Sequence, residues 1–254
     1  MGGRARLRAF LAAALVLAAA TGAACNQADA IRKQALADSD AVRFSSIDGV
    51  ALAGRLFGPN DAKAGVILAH MMPSDQRSWY GFADRLGGVG YRVLTFDLRG
   101  YCPGGDGGCS QGSKDVAQIW QDVAGAVGFL ESLGIHRVGL IGASMGGTAS
   151  LVVASQEGEA VRTVATLSAP ATIEGLAAGP SVLQAITGAK LFIAGNADGT
   201  SALDAQAFYD ESQPSKRVEI LPTGDHGTDI LEGSQSEMVT NLITGWLDQH
   251  LPVR

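Results

Sequence analysis

The sequence predicts an α/β fold, a mostly parallel sheet of roughly eight strands with helices on both faces, and three observations carry that expectation. Runs such as AGVILAH and HRVGLIG are short and largely apolar, the pattern of strands buried on both faces. Stretches with helical spacing, KDVAQIWQDVAGAVGFLESLG foremost, lie between most of them. Repetition of this βα unit calls for parallel strands joined by right-handed crossovers. With 254 residues, 46% of them hydrophobic and 34 glycines, the chain is long enough for one core and short for two.

The elements follow in order. AVRFSSIDG and ALAGRLFGP form an antiparallel pair around Asp48-Gly49, a dipeptide favoured at tight hairpin turns. AGVILAH is the first buried strand; YRVLTFD, HRVGLIG, RTVATLS, AKLFIAG and KRVEILP continue the series. Between Ser168 and Ala189 there is room for only one short helical stretch, SVLQAIT, so a large helical lid does not fit and the site is expected to be open. Met71, Met72, Met145 and Trp79 either line that opening or pack beneath it. No repeat of fixed period is visible, which excludes solenoids and propellers.

Residues 1–24 stand apart from this domain. Arg4, Arg6 and Arg8 precede an unbroken apolar run of 12 residues, Ala9 to Ala20, the layout of a secretory signal peptide and short for a membrane span. Cys25 follows Thr21-Gly22-Ala23-Ala24, which resembles a bacterial lipoprotein cleavage box with Gly22 where a leucine-like residue is usual. Lipidation at Cys25 is therefore expected, with ordinary cleavage and release as the alternative. Residues 25–40 then serve as a tether, and residues 41–254 form the domain. The expected location is outside the cytoplasm, at the outer face of the bacterial cytoplasmic membrane or in the periplasm, or secreted if no lipid is attached. In such an oxidising compartment Cys102 and Cys109, seven apart in YCPGGDGGCS, are expected to form a disulfide; two free thiols are the alternative. Loss of three arginines and no acid on cleavage takes the formal charge from −6 to −9, which disfavours nucleic acid as a partner.

The chemistry concentrates in HRVGLIGASMGGTASLVVAS. A strand ends at Gly142, Ser144 occupies the turn, and a helix begins directly after it. Such a turn strains the backbone and exposes the serine, and side chains at Gly142 and Gly146 would collide with neighbouring backbone. The helix start leaves Met145 N–H free to donate to a developing oxyanion. A serine nucleophile needs a base. Of four histidines, His136 lies at the wrong end of its strand, His250 is at the end of an amphipathic helix, and His70 ends the first buried strand. His226, in the loop after the last strand, is at the carboxyl edge where sites of open α/β sheets collect. Asp198, in the loop after the preceding strand, completes the chain order serine, acid, histidine; Asp204, Asp225 and Asp229 compete for the role.

Residues 41–251 resemble an α/β-hydrolase of the lidless serine esterase or dienelactone hydrolase kind. The resemblance is carried by GASMGG, by LAHMMPSDQRSW and FDLRGY after successive strands, and by Asp198 and His226 in order. It implies that Ser144, Asp198 and His226 are catalytic. Similar proteins carry His-Gly-x after the third strand, where a backbone N–H completes the oxyanion hole. Here His70-Met71-Met72 replaces it, so that Met72 N–H is the implied donor, with Met71 N–H as the alternative, and His70 is structural.

Hydrolysis of a small or medium carboxylic ester is the expected activity. An exopeptidase or amidase with the same triad, and a lipoprotein that uses the fold only to bind, are the alternatives. A small-molecule ester or amide is the expected partner, and a membrane is expected only through the lipid; oligomeric state is not legible. No metal-ligand motif and no phosphate-binding loop is present, so no metal and no cofactor are expected.

Overall fold

The computed structural model describes residue 30 and residues 33–254, so the signal peptide and the lipidation site Cys25 lie outside the described residues. Residues 33–37 are helical, and Ala35 is buried against the domain, so the end of the expected tether is docked. The sheet that follows has eight strands in the order β1-β2-β4-β3-β5-β6-β9-β10. These are β1 (Asp40–Ser45), β2 (Ala51–Phe57), β3 (Gly65–Ala69), β4 (Arg92–Phe96), β5 (Val138–Ala143), β6 (Val161–Leu167), β9 (Ala189–Gly195) and β10 (Lys216–Leu221). The pairings β1–β2 and β2–β4 are antiparallel and the other five are parallel, as the hairpin at Asp48-Gly49 and the βα repeats require.

The central strands β3, β4, β5 and β9 are buried along their whole length, because helices cover both faces of the sheet. Period-two alternation divides their side chains between two cores. Ile67, Leu140, Val164 and Phe192 point to one, which is closed by α2 (Ile119–Ser132), α3 (Met145–Gln156), α4 (Pro180–Ala185) and α5 (Ser201–Glu211). Val66, Ile141, Ala165 and Ile193 point to the other, closed by α1 (Tyr80–Gly88) and α6 (Ser236–His250). The buried helix α3 is apolar around its whole circumference because β5, β6, α2 and α4 surround it.

The link from Ser168 to Ala189 holds α4 and also a small hairpin, β7 (Thr172–Ile173) paired with β8 (Leu176–Ala177), which the sequence pattern does not announce. Its turn is Glu174-Gly175, both at positive φ. Two-residue strands carry no readable alternation, which is why the pattern misses them.

Candidate active site

Ser144 sits between β5 and α3 at φ 49°, a conformation of the sparsely populated kind that persists only where the surroundings over-determine it. Those surroundings are specific. Ser144 N–H donates to Leu167 O at 2.9 Å, tying the turn to β6, and Ser144 O accepts from Gly147 N–H and Thr148 N–H as α3 begins. A Cβ on Gly142 would lie 2.2 Å from Gly146 O, and one on Gly146 would lie 2.5 Å from Ala69 O and 2.6 Å from His70 O. The two glycines therefore let the turn close on itself and press against the exit of β3. Ser144 keeps 7% of its surface exposed.

His226 and Asp198 come from neighbouring loops. Asn196 N–H donates to Leu221 O and Ala197 N–H to Thr223 O, so the loop after β9 is stitched to the loop after β10. Across that seam His226 Nδ1 lies 3.0 and 2.9 Å from the two Asp198 carboxylate oxygens. Its Nε2 makes no hydrogen bond to any described residue. Gly227, next to the histidine, packs against Ala143, next to Ser144: a Cβ there would stand 3.3 Å from Ala143 Cβ. The serine turn and the histidine loop are thus in contact.

The rival acids are engaged elsewhere. Asp225 caps its own loop, accepting from Thr223 Oγ1 at 2.8 Å. Asp204 accepts from Thr200 Oγ1 on the exposed side of α5, and Asp229 is exposed beyond His226. Asp198 does not cap α5 with its side chain; its backbone carbonyl accepts from Ser201 N–H instead.

His70 is fully buried with both ring nitrogens occupied. Nε2 accepts from Leu98 N–H at 3.0 Å, so Nδ1 carries the proton and donates to Met71 O at 2.8 Å. Burial holds the imidazole neutral, lowering its pKa to about 4. Because the Met71 carbonyl is held on this side of a trans peptide, the Met72 N–H is directed to the other. Neither Met72 N–H nor Met145 N–H has a protein acceptor among the described residues.

Of the four side chains expected to line or underlie the opening, three are packing. Met145 and Trp79 are fully buried and Met71 nearly so, whereas Met72 is 41% exposed at the rim. The reason is geometric: Met145 begins a helix surrounded by other elements, and Met71 is wedged against Gly227. Beside the rim Cys102 and Cys109 are bridged, with Cα atoms 3.8 Å apart, and the loop between them is clamped by Gln76 to Gly107 O and by Tyr80 Oη to Asp106 O. Asp97 and Arg99 turn away from the opening. Asp97 is buried and accepts from Gln76, and Arg99 pairs with Asp48 and Asp122. These braces, Gln76 above all, are silent in sequence because they join loops far apart in the chain. Among the described residues no cluster of side chains suited to a metal ion is present, and no helix is long and apolar enough to cross a membrane.

This architecture is shared. The family profile described as alpha/beta hydrolase fold matches residues 66–184. Solved structures with the same fold include the Pyrococcus furiosus esterase Pf2001, 19% identical, with a TM-score of 0.70 over 85% of this chain and 94% of that one. A dienelactone hydrolase from Anabaena variabilis is 24% identical, with a TM-score of 0.68 over 84% of this chain and 99% of that one. A thermophilic esterase from Thermogutta terrifontis is 18% identical, with a TM-score of 0.68 over 83% and 99%. The chain has the alpha/beta hydrolase fold.

Proposed function

We propose that the protein is a serine hydrolase that cleaves carboxylic esters of small or medium size through an acyl-enzyme. The observation that carries this reading is the strained Ser144 turn in contact, through Ala143 and Gly227, with the loop of a histidine whose Nδ1 is held by Asp198 and whose Nε2 has no partner among the described residues. Ser144 Oγ attacks the carbonyl carbon as its proton passes to His226 Nε2, and Asp198 orients the ring and offsets its charge. The tetrahedral oxygen takes hydrogen bonds from Met145 N–H and Met72 N–H, which are already free to donate. Collapse expels the alcohol, which takes the proton from His226. Water then attacks the acyl group by the same route and regenerates Ser144.

Among the described residues only a two-residue hairpin pair and one short helix lie between β6 and β9, which supports substrates that reach the serine without a large rearrangement, and the esterases and dienelactone hydrolase that share the fold favour an ester over an amide. The domain is further read as the exported part of a lipoprotein anchored at Cys25, a reading supported by the basic front, the apolar run and the bridged cysteines.

Fluorophosphonate labelling of the purified protein tests the reaction class. Labelling at Ser144, lost in Ser144→Ala, is the expected result; an unlabelled Ser144 would refute it. A panel of p-nitrophenyl esters and aminoacyl anilides then separates an esterase from a peptidase or amidase. Metabolic labelling with a fatty-acid analogue, compared with Cys25→Ser, tests the anchor.

A further inference from the structure

Three features meet at one edge of the molecule. The first is the site itself, since Ser144, Asp198 and His226 all follow the carboxyl ends of parallel strands. The second is the point where the chain arrives from its amino terminus. Lys33 and Leu36 wall a cavity of about 480 Å³ together with Ser74, Asp75 and Arg77 from the loop after β3, so the chain enters beside the same edge before running down to β1. The third is a set of exposed apolar side chains. Leu203 opens α5 and Met238 opens α6, Ile47 tips the β1–β2 turn, and Met72 stands on the rim. Leu203 and Ile47 are 72% and 59% exposed. At the opposite edge, among the described residues, only Val89 and Leu133, at the ends of α1 and α2, are comparably bare.

We propose that this edge faces a lipid bilayer and that the substrates are acyl esters presented at the membrane surface. The proposal rests on the hydrolase and lipoprotein readings above, and length decides the orientation. Seven residues separate Cys25 from Lys33, and the eight Cα–Cα steps between the two reach at most about 29 Å. A domain of this size is about 45 Å across. A lipid on Cys25 therefore holds the carboxyl edge near the membrane, and the leash is too short to bring the opposite edge down instead. Partitioning of Leu203, Met238 and Ile47 into the interface acts in the same direction. Because the chain is acidic, headgroup charge contributes nothing favourable, and vesicles of neutral phosphatidylcholine suffice as the probe.

The test uses the full-length protein returned to phosphatidylcholine vesicles whose acyl chains carry bromine, a short-range quencher of tryptophan. Leu203→Trp reports the site edge and Leu133→Trp the opposite edge, each read against the wild type. The tryptophan at position 203 is expected to lose at least half its emission and that at 133 to keep it. Equal or reversed quenching overturns the orientation, as does failure of the wild type to stay with the vesicles, or retention of Cys25→Ser to the same extent. Quenching in a Ser144→Ala background is expected to be unchanged, so orientation is read apart from turnover, while fluorophosphonate labelling reports the hydrolase reading separately. For the substrate class, a Leu203→Asp, Met238→Asp variant is expected to hydrolyse p-nitrophenyl acetate within twofold of the wild type. Its rate on a fluorogenic long-chain ester dissolved in the vesicles is expected to fall at least tenfold. Equal retention of both rates, or a wild type inactive on the vesicle ester, overturns the assignment.

Discussion

His70 and His226 both stand where the chain leaves a strand at the carboxyl edge of the sheet, yet their surroundings oppose each other. His70 is fully buried, accepts from Leu98 N–H and donates to Met71 O, which leaves it no free nitrogen and no stable way to hold a positive charge. His226 is part-exposed, rests on the Asp198 carboxylate through Nδ1, and leaves Nε2 without a partner among the described residues, in a loop that touches the serine turn. A general base must gain a proton and then lose it, so it needs a vacant nitrogen and a nearby negative charge. Only His226 has both. His70 instead fixes the Met71–Met72 peptide, whose N–H is the proposed second oxyanion donor.

Substitution should separate the two most sharply. His226→Ala is expected to lower kcat/KM on a soluble ester by about 10⁴-fold or more, with a thermal midpoint close to that of the wild type, because the ring is half-exposed and supports little packing. Asp198→Asn should follow, at about 10³–10⁴-fold, since the amide favours the wrong imidazole tautomer and supplies no charge. A His226 variant that kept wild-type turnover would transfer the base role to another residue and end the distinction. Steady-state kinetics with active-site titration, alongside thermal unfolding, reads both quantities.

His70→Ala should show the reverse weighting. It leaves the buried Leu98 N–H without its acceptor and opens a cavity, together worth about 3–5 kcal/mol of stability. The folded fraction should retain activity, reduced about tenfold by a less fixed Met72 N–H. A tenfold loss in kcat with KM unchanged is the signature of an oxyanion donor displaced, and a purely structural His70 would leave kcat intact.

How much of this contrast was legible in the sequence differs between the two histidines. The chain order Ser144, Asp198, His226 could be read because each residue follows a strand whose apolar run is visible, and topology brings strand ends together. The eight-stranded sheet was legible for the same reason. The β7–β8 hairpin was not, being too short to alternate. Nor were the buried side chains of Met71, Met145 and Trp79 distinguishable from a pocket lining, since an apolar residue beside a site has the same letter in either role. The His70 brace depends on Leu98 N–H, a backbone group 28 residues away that no side-chain pattern encodes. Local periodicity thus reports which strand ends meet, while hydrogen bonds between loops appear only once they have met.

Acid should also act through the buried ring. The folded-state pKa of His70 is about 4, against an ordinary value of 6.5, because burial disfavours the cation. Between those values the unfolded chain binds the proton and the folded one does not. The contribution is therefore complete above about pH 6.5 and is lost as pH falls toward 4, to a total on the order of 3 kcal/mol. Asp97 opposes it: burial raises that carboxyl to about 7, so in the window from about 4 to 7 the folded state holds the extra proton, and acid stabilises. Wild-type stability should accordingly vary little between pH 7 and pH 4.5. Asp97→Asn should uncover the His70 slope, with denaturant midpoints falling steadily across that range. A flat profile in Asp97→Asn would remove His70 from the acid response.

The smallest effect concerns the bridge between Cys102 and Cys109, which lies on the His70 side of the comparison because the bridged loop continues from Leu98. Closing an eight-residue loop restricts the unfolded chain by at most about 2–3 kcal/mol. In the folded protein the same loop is also held by Gln76 to Gly107 O, Tyr80 Oη to Asp106 O and Ser110 N–H to Tyr101 O. The Cys102→Ser, Cys109→Ser variant is therefore expected to lose about 1–2 kcal/mol in denaturant unfolding, the remainder of the restriction being offset by those clamps. Its kcat on a soluble ester should stay within twofold, since His226 and Asp198 come from loops after β9 and β10 at the other end of the sheet. If kcat instead fell in parallel with His70→Ala, the bridge would be acting through Leu98 on the Met71–Met72 peptide, extending the structural half of the site to the disulfide.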